Sequence, residues 1–195
     1  MKGRPRSFDV DKALDKALRV FWEKGYEGAS LTDLTKAMGI NRPSIYAAFG
    51  DKEQLFRKAL DRYAEGPASY ACEALHEPKA RKAIEKLLLG AVEGLSNPKN
   101  PKGCLLVQGA LACGDEARSI RDELIQRRTA AEAEITKRLK RAKAEGELPE
   151  HVNPSDLGRF YVTVMRGLAI EAATGATRTE LTRVAETAMK AWPTS

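Results

Sequence analysis

The 195-residue chain is poor in the residues that carry most enzyme chemistry: it holds three cysteines and two histidines, and aromatic residues make up only 6% of it. An odd cysteine count behind the leaderless start MKGRPRSFDV argues against a disulfide framework. Cys104 and Cys113 stand nine residues apart, which at about 100° per residue sets them on opposite faces of a helix. His76 and His151 add no ligand at zinc-type spacing. No metal, cofactor or catalytic residue is therefore expected. Long apolar runs are missing too. Without a stretch of about eighteen apolar residues, neither a membrane span nor a secretory leader is read, and the cytoplasm is the expected compartment. Alternating β-branched segments are also wanting, which removes the signal for strands.

What is present is a foldable, charged chain. Hydrophobic residues reach 43% and charged residues 31%, and the net charge of +6 is compatible with a polyanionic partner. The clearest basic excess is at the start, where Lys2, Arg4 and Arg6 precede Asp9. They read as a DNA-directed arm, although a solubilising terminus fits the same residues. A 3.6-residue apolar period recurs from Asp9 to Trp192, so the chain reads as all-α. Val10, Leu14, Ala17, Leu18, Phe21 and Trp22 form one stripe, and Gly25 stops that helix after Lys24. Ser30 with Asp33 opens a second helix through Leu34 and Met38, closed by Gly39.

The stretch NRPSIYAAFGDKEQLF, residues 41–56, then crowds two helix starts around a helix of about two turns. So short a helix is marginal alone, because nucleation costs more than a few hydrogen bonds return. Asn41 caps it, Pro43 fits its first turn, and Ile45, Ala48 and Phe49 face inward. With the preceding helix and the turn at Gly39 it makes a helix-turn-helix. Its other face presents Arg42, Pro43, Ser44, Tyr46 and Ala47, the positions that enter a major groove in such motifs. Arg42 suits guanine or phosphate, and the Ser44 and Tyr46 hydroxyls suit phosphate or base edges. Thr32 and Lys52 each begin a helix, where free N–H groups favour a phosphate oxygen. A helical corner in an ordinary bundle accounts for the same geometry.

Residues 9–56 resemble the N-terminal domain of the TetR family of transcriptional regulators. FWEKGYEGASLTDLTKAMGINRPSIYAAFGDKEQLF carries in order the family's G-Y/F-x-x-x-S/T, I/L-Y-x-x-F and K-E-x-L landmarks, with Gly39-Ile40 between the first two. The resemblance implies a three-helix DNA-binding domain over residues 1–52 and a helical effector-binding and dimerisation domain over 53–195. It also implies a homodimer, usually a repressor, that grips a near-palindromic double-stranded operator and is released by a small effector of unknown identity. One departure is that Ala47 and Ala48 follow the tyrosine where many members carry a polar or aromatic residue, so Arg42, Ser44, Tyr46 and the arm must carry more of the readout.

Beyond the fourth helix, Gly66-Pro67 reads either as a hinge within that helix or as its end. The segment GCLLVQGALACG resembles a Gly-Cys-Leu segment beside the effector pocket of some family members, which makes Cys104 a candidate electrophile or oxidant sensor; most free cysteines are inert buried hydrophobes. A long helix is expected from near Asp115 to Gly146. The helix from Pro154 carries a stripe of Leu157, Phe160, Tyr161, Val164 and Leu168, and a neighbouring stripe with Val162 and Ala169. The last helix carries Val184 and Ala188. Val162, Ala169, Val184 and Ala188 are the expected dimer contacts, unless the first of these helices lies at the centre of a monomer. The rival readings are an all-helical enzyme, which lacks any visible catalytic constellation, and an architectural DNA-binding protein without operator preference.

Overall fold

A computed structural model describes residues 8–111 and 117–194, and among them every regular element is a helix. The first is α1 (Val10–Gly28), whose start is fixed by the Asp9 carboxylate accepting the Lys12 N–H. Its apolar stripe is buried at Ala13, Ala17, Leu18, Phe21 and Trp22. Gly25 breaks it as expected, taking φ 71°, a left-handed value that costs a residue with a β-carbon. The chain coils once more before Gly28.

The helices α2 (Leu31–Met38), α3 (Arg42–Phe49) and α4 (Lys52–Glu65) follow. Their starts are fixed by Ser30 with Asp33, by Asn41 accepting the Ser44 N–H at 2.9 Å, and by Asp51 with Gln54. Gly39, at φ 72°, closes α2 and turns the chain into α3. The two short helices survive because Leu34, Met38, Ile45 and Phe49 are buried against α1 and α4. Phe21 meets Phe56 edge to face at 4.9 Å in that core.

The expected division at residues 52 and 53 does not follow the packing. Leu55, Phe56, Ala59 and Leu60 of α4 are wholly buried in the core formed by α1 to α3. Gly66 caps α4 rather than bending it, so Gly66-Pro67 is a helix end. Turns lead from it to α5 (Tyr70–Leu75).

Then come α6 (Ala80–Ser96), α7 (Leu105–Leu111), α8 (Arg118–Ala144), α9 (Pro154–Thr174) and α10 (Arg178–Lys190). A second core gathers Ile84, Leu87 and Leu88 of α6, Leu139 of α8, Tyr161 and Leu168 of α9, and Leu181 of α10, with Trp192 beyond it. The two cores interlock, because Leu105 of α7 and Ile120 and Leu124 of α8 belong to the first. Arg138 of α8 is buried and donates to the carbonyls of Glu77 and Pro78, pinning the loop after α5. Among the described residues no helix is long and apolar enough to cross a membrane, and no cluster of metal-ligating side chains occurs.

Candidate nucleic-acid interface and adjoining cavity

The helix-turn-helix leaves one face of α3 bare. Ile45 and Phe49 are buried, whereas Arg42 and Pro43 are exposed and Tyr46 keeps 49% of its surface. Arg42 reaches back across the turn and donates to the Thr32 hydroxyl at 3.2 Å, so two expected DNA contacts from successive helices meet at one edge. Ser44 is half-buried, with its backbone N–H spent on the Asn41 cap. Lys52 opens α4 but is not a free solvated cation: its ammonium lies 4.5 Å from the centre of the Tyr26 ring. Burial pulls its pKa below the ordinary lysine value, and Glu27 acts against that shift. The α2 start is anchored on α1 by Lys24 donating to Asp33 at 2.7 Å. That contact first, and Ser30 second, holds the Asp33 carboxyl far below its usual range. Arg4 and Arg6 lie outside the described residues, as does Cys113.

Behind this domain, at its seam with the second core, lies a cavity of about 150 Å³. Its apolar wall includes Trp22 of α1, Tyr63 of α4, Leu106 and Val107 of α7, and Val162 and Met165 of α9. Arg128, Glu132 and Arg166 supply the charge. Cys104, just ahead of α7, also faces it, and the Tyr63 hydroxyl donates to Cys104 Sγ at 3.3 Å. Burial, and then the neighbouring Cys104, pushes the phenols of Tyr63 and Tyr70 well up, so both stay neutral at physiological pH. Trp22 ties the two domains together here: its Nε1–H donates to the Gly103 carbonyl at 3.0 Å, and its ring packs edge-on against Tyr63. Arg19 adds a bond to the Lys99 carbonyl.

Of the four expected dimer contacts, three are buried within the chain. Val162 and Ala169 are 6% and 2% exposed and line the cavity, so they are covered by the chain's own helices, a correction to the stripe assignment. Ala188 is buried as well, and Val184 alone of the four is exposed. The small side chains serve close packing within the chain: a β-carbon on Gly158 of the same face would lie 2.9 Å from Thr136 of α8. The outward side of α9 carries Phe160 and Ile170, the former expected inside. Trp22 and Tyr63 were legible only as core positions. Nothing in the sequence links Arg128 and Glu132 to Arg166.

An exposed groove-reading helix with a cavity at its domain's back defines a one-component regulator, and comparisons agree. Residues 13–59 match the family described as bacterial regulatory proteins, tetR family, and residues 80–188 match the tetracyclin repressor-like C-terminal domain. The chain belongs to the TetR family of bacterial transcriptional regulators and is not an enzyme. It is 34% identical to the HTH-type transcriptional repressor ComR of Escherichia coli (strain K12), over 98% of this chain and 92% of that protein. The repressor BdcR of the same organism is 30% identical over 89% of this chain and 83% of its own length. A cysteine mutant of the TetR family regulator CifR, complexed with 26 bp operator DNA, superposes with a TM-score of 0.93 at 42% identity, covering 97% of this chain and all of that one.

Proposed function

We propose that the chain is a homodimeric repressor that reads a near-palindromic operator with α3 and lets go of it when a small effector enters the cavity. The observation that carries this reading is the shared wall: Trp22 and Tyr63, which line the cavity, belong to the two helices on which α2 and α3 are packed. An occupant that moves either ring shifts the platform of the reading helix, and with it the spacing of two reading heads on one duplex. The operator complex of CifR and the repressor names of ComR and BdcR support the DNA side of the reading. In this arrangement Arg42, Tyr46 and Ser44 face the groove, and Thr32, Lys52 and the Arg4 and Arg6 arm flank it on phosphates.

Cys104 is the reactive candidate within the cavity, since its thiol lies at the wall beside Tyr63. If it senses electrophiles, alkylation releases DNA from the parent chain and not from Cys104→Ser; equal release from both excludes it. The exposed Phe160, Ile170 and Val184 offer the apolar surface for a two-chain contact on α9 and α10. The test of the whole reading is selection of duplexes from a randomised pool, followed by competition against random DNA. A repressor prefers the selected duplex by on the order of 10³ or more, whereas an architectural protein shows no such preference.

A further inference from the structure

The charged end of the cavity is unbalanced. Arg128 and Glu132 are one turn apart on α8, with Ala131 and Ile135 on the same face, and Arg166 reaches in from α9. Glu132 already serves two cations: Oε1 accepts from Arg159 Nε and Oε2 from Arg166, each at 3.2 Å. Neither bond involves Arg128, whose Nε is buried with no hydrogen-bond partner among the described residues. A guanidinium is a donor only, so a buried N–H of it without an acceptor costs free energy. Such a donor next to an open cavity is a receptor for an acceptor-only group.

We propose that the effector is a small amphipathic monoanion, a carboxylate borne on a single ring or a short acyl chain. Its carboxylate takes the Arg128 fork and draws on Arg166, and its apolar body lies against Trp22, Val107 and Val162. Resting on the effector reading above, this assigns the ligand class. The size follows from the space, because about 150 Å³ accommodates a benzene-sized body. The charge follows from the lining: Arg128 and Arg166 stand in it with the single carboxylate of Glu132, and one anion more gives Arg128 an acceptor.

Phenylacetate and its neutral counterpart phenylacetamide are the probes, titrated calorimetrically into the full chain, with the selected duplex followed in parallel by fluorescence anisotropy. Phenylacetate is expected to bind once per chain, about tenfold or more tighter than the amide. Arg128→Gln should lose that advantage and bind acid and amide alike. Because the side chain removed has an unmet donor, empty Arg128→Gln should melt no lower than the parent, an outcome that a purely structural arginine would not give. Arg166→Gln, with the Arg128 site intact, should show a smaller loss. Equal affinity for acid and amide in the parent, an undiminished advantage in Arg128→Gln, or no heat from either probe at millimolar concentration would overturn the proposal. Arg128-dependent binding that leaves the duplex bound supports the ligand class and defeats the release reading. Duplex release by the amide as readily as by the acid keeps the release reading and defeats the ligand class.

Discussion

Arg42 and Tyr46 project from the side of α3 opposite Ile45 and Phe49, so truncating either strips the reading face without entering the core. Arg42→Ala and Tyr46→Ala should each weaken binding to the selected duplex by about 1–3 kcal/mol and relax its sequence preference. Their melting temperatures should stay near the parent's, since surface changes cost within about 0.5 kcal/mol and the bond from Arg42 to Thr32 is exposed. Lys52→Ala should differ. It should lower affinity almost uniformly across sequences and shallow the salt dependence by about 1. Because the ammonium also rests on Tyr26, this variant should lose about 0.5–1 kcal/mol of stability as well. Anisotropy at several salt concentrations, with thermal melts, separates the two behaviours; unchanged binding in all three variants would remove α3 from the interface. Trp22 is the fourth residue to test, as Trp22→Phe. It keeps a ring in the cavity wall but strands the buried Gly103 carbonyl, so it should cost about 1–3 kcal/mol and weaken the coupling between cavity and DNA more than it weakens either binding event.

At the scale of elements, helix starts were the most legible feature because they are chemical as well as hydrophobic. Ser30 with Asp33, Asn41 with Ser44, Asp51 with Gln54 and Thr177 with Glu180 each make the expected capping bonds. The α2 cap also carries a pH signature. Lys24 and Ser30 depress the Asp33 carboxyl below its unfolded value, so its stabilising contribution is present above the ordinary carboxylate range and is lost as pH falls toward the depressed value. Asp33→Asn should therefore lower the melting temperature at neutral pH, and the gap from the parent should narrow below the ordinary carboxylate range; a gap constant with pH would deny the carboxylate that role. The inward side of α9 was harder to read. Apolar residues surround that helix, and periodicity separates its two stripes without saying which one the same chain covers. Small residues at 158, 162 and 169 meant close approach to the chain's own α8 and a cavity wall, while Phe160 and Ile170 stayed outside. The cavity was illegible for a related reason: its wall draws on residues from Trp22 to Ala169, brought together only by the seam between the cores.

Across the whole molecule, that seam gives the two cores a common fate. Leu105, Ile120 and Leu124 sit in the first core although they follow it by tens of residues, and Arg127 of α8 bonds Asp61 of α4 at 2.7 Å. In the proposed homodimer the two chains meet on surface that neither core uses, and the outward apolar residues of the last two long helices are Phe160, Ile170 and Val184. Ile170→Glu and Val184→Glu place a carboxylate on that surface, exposed in a single chain but costly at a two-fold contact, where its symmetry mate lies close. Each should yield a folded monomer of parental helix content. With one reading head instead of two, operator affinity should fall by a factor of about 10² or more even though residues 41–52 are untouched. Ala169→Glu is the contrasting variant. Its carboxylate enters the chain's own cavity wall, so it should lower the melting temperature before it alters the mass. Light scattering, circular dichroism and anisotropy on the three proteins distinguish the sites. If Ile170→Glu and Val184→Glu both stay dimeric with parental affinity, the two-fold contact lies off these outward faces.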